Sequence, residues 1–248
     1  MKKLISYIAA VISALIFSGC ENKDSTDVDH SQLHVGLTAT YETHKLKTHS
    51  VNPDKELNFQ FSLFEKQDED AGLFEQVEVD VTEPNKFFLK IDDETYDLFE
   101  YKAYDLTFSA VYYSVNLPEP SREERQIEII FDGDAYSSLS FEMPPLFEVE
   151  TNISGEYSPS EEDLVFNWDI YGVDTVDVHQ SSQEECAPYE ADSSEELTHV
   201  IPAETICPDS VAAIIRVSSN PGLEIVNDGF SSFSVDFTQE FEQRISIK

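Results

Sequence analysis

From Leu57 to Met143 apolar side chains fall on every second residue, and that period of two constrains the fold more than any other feature of the chain. Leu57, Phe59, Phe61 and Leu63 share one face while Asn58, Gln60 and Ser62 take the other. Successive side chains of a strand point to opposite faces, so runs of this kind are half-buried strands. Val77, Val79 and Val81 alternate with Glu78 and Asp80, and Phe87, Leu89 and Ile91 follow. Leu106, Phe108, Ala110 and Tyr112 then hand over to Val111, Tyr113, Val115 and Leu117. That shift of one residue predicts a β-bulge near Val111. Ile127, Ile129 and Phe131 face Leu139, Phe141 and Met143 across Asp132-Gly133-Asp134. No helical periodicity of useful length precedes Cys207, so the expectation is an all-β, antiparallel fold.

Pro144-Pro145 breaks the pattern, because two prolines donate nothing to a ladder and set an extended connector. Alternation restarts at Phe147 and Val149. It continues through Leu164, Phe166, Trp168 and Ile170, then Val176 and Val178, then a polar excursion from Gln180 to Glu196. Val200 and Ile201, the block Val211 to Val217, Leu223 to Val226, Phe233 to Phe237, and Ile245 with Ile247 complete it. About seven strands in about 100 residues is the spacing of a β-sandwich. The reading is two tandem antiparallel sandwiches, residues 33–143 and 146–248. The chain carries 50 acids against 15 Lys and Arg, a formal net charge of −35. Phosphate backbones repel such a surface, which excludes nucleic acid as a partner. With 17 Phe and 11 Tyr there is nevertheless a core to bury, so the chain is no disordered acidic tail.

The first twenty residues set the address. Lys2 and Lys3 precede an apolar run from Leu4 to Phe17, which ends at Ser18-Gly19-Cys20. The run is shorter than the ~20 apolar residues a membrane span needs, and no basic stop-transfer cluster follows. Residues 1–19 therefore read as a signal peptide. Small residues directly before a cysteine resemble the lipobox of bacterial lipoproteins, with Phe17 where leucine is usual. The resemblance implies cleavage before Cys20 and diacylation of its thiol. Loss of Lys2 and Lys3, with no acid removed, takes the charge from −35 to −37. Residues 20–32 bury almost nothing apolar and read as a flexible acidic tether. Glu21 is not the Asp that commonly retains such lipoproteins in the inner membrane, so the resemblance implies the outer membrane.

Further motifs carry a second resemblance. Met143-Pro144-Pro145-Leu146-Phe147, Tyr157-Ser158-Pro159-Ser160, Leu164-Val165-Phe166-Asn167-Trp168, Val178 before Cys186, His199-Val200-Ile201-Pro202-Ala203 and Ile215-Arg216-Val217 resemble a group of bacterial lipoproteins. That group carries an immunoglobulin-like or fibronectin-like domain, and the match covers about residues 140–248. It implies a sandwich with Trp168 as core pivot, and it implies no activity.

Cys186 and Cys207 are the thiols left once Cys20 is acylated, and exported thiols oxidise. A bridge enclosing 20 residues would contribute about 3 kcal/mol in the chain-entropy model. His30, His34, His44 and His49 crowd the start of the first unit and could hold zinc or copper, although solvated histidines are the commoner case. Asp68-Glu69-Asp70, Asp92-Asp93 and above all Asp132 and Asp134 put carboxylates at turns, the chemistry of calcium, and equally of a solvated acidic surface. No nucleophile elbow, H-E-x-x-H or phosphate loop is present, and pairs such as Glu161-Glu162 are too common here to mark a hydrolase. The reading is a lipid-anchored, non-catalytic spacer or binding module without cofactor, its partner beyond the membrane being a protein or carbohydrate. The alternative is a calcium-dependent carbohydrate-binding or adhesion module, with exposed pairs such as Tyr112-Tyr113 or Tyr101-Tyr104 as its aromatic platform.

Overall fold

A computed structural model describes residues 22–45, 54–65, 77–105, 110–118, 120–153, 156–169, 173–181, 189–192, 196–207, 210 and 212–248. These residues form strands and three short 3-10 turns, so the chain is all-β. Leu33–Lys45 and Asp54–Glu65 pair antiparallel along their whole length, from Leu33↔Glu65 to His44↔Asp54. On the inner face Leu33, Val35, Leu37, Ala39 and Tyr41 lie beside Leu57, Phe59, Phe61 and Leu63, all of them buried. The other edge of Leu33–Lys45 is taken by the last strand of the chain, Ser232–Ile247, which pairs with it in parallel from Ser232↔His34 to Gln243↔Lys45. Ala212–Ser219 and then Thr175–Ser181 and Tyr189–Asp192 continue the same sheet beyond it.

A five-stranded sheet, ordered Ile225–Asp228, Tyr136–Met143, Arg125–Asp132, Lys86–Ile91, Glu94–Asp97, covers the first part of this large sheet. The two layers meet through aromatic rings. Phe87 stands edge-on to Phe61 at 6.1 Å, to Tyr113 at 5.3 Å and to Phe131 at 6.4 Å. A three-stranded sheet, Val149–Thr151, Leu164–Trp168 and Thr198–Ile201, makes a second lobe with Thr175–Ser181, Ala212–Ser219 and the end of the last strand. Its interior holds Phe166, Trp168, Val176, Val178, Ile201, Ile215, Val217, Phe241 and Ile245.

Pro144 and Pro145 thus mark a passage between lobes and not the end of one fold. Ile225–Asp228 and Ser232–Ile247, assigned by the sequence reading to a second tandem unit, complete both sheets of the first lobe. The passage is pinned by buried amides of the shared strand. Gln239 Oε1 accepts from the Phe147 amide at 2.7 Å, and its Nε2 donates to Pro145 O at 3.3 Å. Gln243 Oε1 accepts from Thr151 Oγ1 at 2.9 Å. Outside, Arg122 donates to Leu146 O at 3.0 Å, to Glu148 Oε2 at 2.7 Å and to Asp169 Oδ2. Burial would raise the Asp169 carboxyl, but Arg122 and the Glu148 amide outweigh it and hold it below its usual range.

The reading of residues 20–32 as a flexible tether needs correcting for its described part, 22–32. Lys23–Asp24 is a strand parallel to Val77–Asp80, in register Lys23↔Val79 and Asp24↔Asp80. Ser25 is fully buried, accepting from the Thr82 amide at 3.0 Å and from Asn85 Nδ2 at 2.9 Å. Polar side chains hold this segment down, so a search for apolar residues passes over it.

Candidate functional site

The docked segment begins two residues after Cys20. Lys23 Nζ pairs with Glu65 Oε2 at 2.5 Å, and Glu65 Oε1 accepts from the Asp29 amide at 3.0 Å. Glu65 is buried, so removal of Lys23 would strand its charge. Farther on, His30 Nδ1 accepts from the Ala135 amide at 3.1 Å while its ring stands edge-on to Phe131 at 5.2 Å. Gly133 makes room for that ring, since a Cβ there would lie 2.8 Å from His30 Cε1. The turn Asp132-Gly133-Asp134, read as a weak calcium loop, is therefore where His30 packs. Among the described residues no three His, Cys, Asp or Glu side chains are grouped as a metal site.

The outward face of the large sheet carries a groove of about 320 Å³, lined by Gly36, Thr38, Gln60, Ser62, Phe64, Ser234 and Asp236 among others. Registers Gly36↔Ser62 and Ser234↔Gly36 place the glycine at its centre, where the missing side chain leaves the dip. His34 borders it, its Nδ1 2.8 Å from Ser232 Oγ and its Nε2 3.4 Å from Ser234 Oγ. A serine beside a histidine invites comparison with a nucleophile and its base. The carboxylate of this groove, Asp236, instead accepts from Asn220 Nδ2 at 3.1 Å. The lining can hydrogen-bond a hydroxyl-rich ligand and offer it the Phe64 ring.

The second lobe holds the remaining candidates. Trp168 is buried, and its indole N–H donates to Glu196 O at 3.0 Å. Cys207 is half-buried and its amide donates to Gln180 Oε1 at 2.7 Å. Cys20, Cys186, His49 and Asp68-Glu69-Asp70 lie outside the described residues. His44 pairs with Glu42 at 2.7 Å. Asp92 Oδ1 accepts from the Gln126 amide at 2.9 Å, tying its turn to the strand Arg125–Asp132, and Glu162 O accepts from Tyr157 Oη at 2.9 Å. Of the tyrosine pairs, Tyr113 is buried with Oη accepting from the Val81 amide at 2.8 Å, whereas Tyr101 and Tyr104 are exposed.

Inside the excursion from Gln180 to Glu196 the chain makes the strand Tyr189–Asp192, which the sequence reading passed over for want of apolar residues. Tyr189 Oη lies 2.9 Å from His199 Nε2 and so ties this strand to the three-stranded sheet. Burial lowers the pKa of His199 below its ordinary value. An unfolded chain binds the proton that folded His199 resists, so acid favours unfolding once pH falls below about 6.5. Lowering pH from about 7.5 to about 5.5 is expected to lower the melting temperature, with a shallower slope in His199→Gln. Equal slopes in the two proteins would remove His199 from the account.

No protein-family model matches the chain, and no curated protein matches it. Among solved structures it is similar to the Fcho1 Mu homology domain of Danio rerio, solved with a bound Eps15 peptide. The likeness covers 94% of this chain and 100% of that one, at 7% identity and a TM-score of 0.33. Likeness this slight says nothing of what the present chain binds.

Proposed function

We propose that this is a lipid-anchored bacterial envelope protein, acylated at Cys20 and held at the outer membrane, which serves as a non-catalytic spacer or binding module. The observation that carries the reading is the docked segment. Directly behind the lipobox-like Ser18-Gly19-Cys20, the chain is fixed to the body by Lys23, Ser25, Asp29 and His30, so an acyl anchor would hold a folded domain and not a loose tail. Two acyl chains at about 0.8 kcal/mol per buried methylene make such an anchor effectively permanent. Against catalysis stands the groove, whose histidine and carboxylate turn to different partners. The immunoglobulin-like or fibronectin-like character of residues 146–248 stays part of the proposal, supported by Trp168 in the second lobe's interior. So does the Cys186–Cys207 bridge, supported by the export that a signal peptide over residues 1–19 would bring, since exported thiols oxidise.

Cys20→Ser is the test. The variant is expected to leave the membrane fraction or to stall with its signal attached. Intact mass of the parent, without reductant, should show the acyl groups and two hydrogens fewer than the dithiol form. A Cys20→Ser protein that still pellets with membranes at high salt would end the lipoprotein reading, and two alkylatable thiols would end the bridge.

A further inference from the structure

Phe99 and Tyr104 are 51% and 56% exposed in a chain that buries most of its described phenylalanines, and Tyr101 beside them is 37% exposed. Their outward aim is built in. The turn Leu98–Tyr101 sends Leu98 fully inside, and Asp97 Oδ1 accepts from the Phe99 amide at 3.1 Å, which turns Phe99 to solvent. Tyr101 meets Tyr96 edge-on at 6.1 Å. Lys102 Nζ lies 5.9 Å from the Phe99 ring and 5.2 Å from the Tyr104 ring, and it pairs with Asp80. Asp80 is the register partner of Asp24. The patch therefore sits one strand spacing and one ion pair away from the start of the docked segment.

We propose that the protein lies directly on the bilayer that holds Cys20, with Phe99, Tyr101 and Tyr104 in the headgroup layer. The inference rests on acylation of Cys20. Two residues, Glu21 and Asn22, separate Cys20 from Lys23, so the three steps of fully extended chain span at most about 10 Å between them. The interfacial layer on each side of a bilayer is about 5–8 Å deep. An anchor that short keeps the Lys23 edge of the large sheet at the headgroups and leaves no room for the body to stand off. Tyrosine beside phenylalanine is a side-chain set that settles at a membrane interface. The net charge, −35 for the whole sequence and −37 once Lys2 and Lys3 are cleaved off, makes an anionic surface repulsive, so the lipid must be zwitterionic.

The experiment uses the full, acylated chain in phosphatidylethanolamine and phosphatidylcholine vesicles, with acyl chains brominated near the carbonyl end as quencher. Tyr104→Trp reports on the patch and Val200→Trp, exposed on the second lobe, reports on that lobe, with Phe99→Trp as a second probe should Tyr104→Trp misfold. Native Trp168 is 4% exposed and gives a constant background. Side chains at the interface sit about 5–10 Å into the headgroup and acyl boundary, so the added emission of Tyr104→Trp is expected to fall about twofold on bromination, and that of Val200→Trp to stay unchanged. Equal quenching of both probes overturns the inference, because no face is then preferred. Quenching of neither, in protein whose mass shows the acyl groups, overturns it while acylation stands. A shielded Tyr104→Trp whose emission depends on protein concentration assigns the patch to a second copy and overturns it as well. Protein without acyl groups sinks both readings together.

Discussion

Cut between Pro144 and Pro145 and expressed as two pieces, the chain is expected to yield no piece that melts cooperatively by itself. The amino-terminal piece lacks Ile225–Asp228, which closes one edge of the five-stranded sheet, and the last strand, which covers Leu33–Lys45 from His34 to Lys45. Phe237 and Phe230 leave its interior with them. A bare edge of that length offers unpaired backbone groups to any other strand, so aggregation is the expected fate. The carboxy-terminal piece keeps Ala212–Ser219 against Gln239–Ser246 but loses the Tyr41 ring against Phe147 and the Arg122 grip on Leu146, Glu148 and Asp169. Mixing the pieces as they are refolded should restore near-ultraviolet dichroism that neither shows alone. Two separate cooperative melts would instead mean two independent tandem domains.

Phe87→Ala should cost about 3–5 kcal/mol, the usual range for emptying a buried phenylalanine site. Phe87 is wholly buried between Phe61, Tyr113 and Phe131, rings from both layers that cannot close over the gap without shifting a sheet. Whole-domain stability is typically about 5–15 kcal/mol, so this one change removes a large share. Because the last strand belongs to both lobes, the urea midpoint of the second lobe, read from Trp168 fluorescence, should fall with that of the first. A Trp168 transition left in place would show that the lobes unfold separately.

Much of the sheet structure was legible in the sequence because one face of each strand is apolar. Leu57 to Leu63, Phe87 to Ile91, Ile127 to Phe131 and Leu164 to Trp168 each turn inward the residues that their alternation marked. The last strand was not legible as one element. Phe233 to Phe237 and Ile245 to Ile247 read as two strands, because the inward positions between them include Gln239 and Gln243, buried amides that break the apolar pattern. Its aromatic start misleads too, since Phe233 is exposed. Nothing local in residues 225–247 says that they return to the first lobe, since pairing between distant segments leaves no periodic trace. Of the candidate sites, the lipobox-like stretch and Cys186 lie outside the described residues. The groove went unread because its floor is Gly36, a position defined by three neighbouring strands and not by its own surroundings in sequence.

The parallel pairing of His34 with Ser232 sets the order in which this chain can mature. The strand that holds His34 must wait for the 198 further residues up to Ser232 before its parallel neighbour exists. Contacts so remote in sequence are slow to form, and partly finished sheets are prone to misassembly. Completion of the large sheet is thus tied to residues 232–247. A chain stopped within residues 232–247 would lack the centre of its largest sheet, so an unfinished copy betrays itself by its failure to fold.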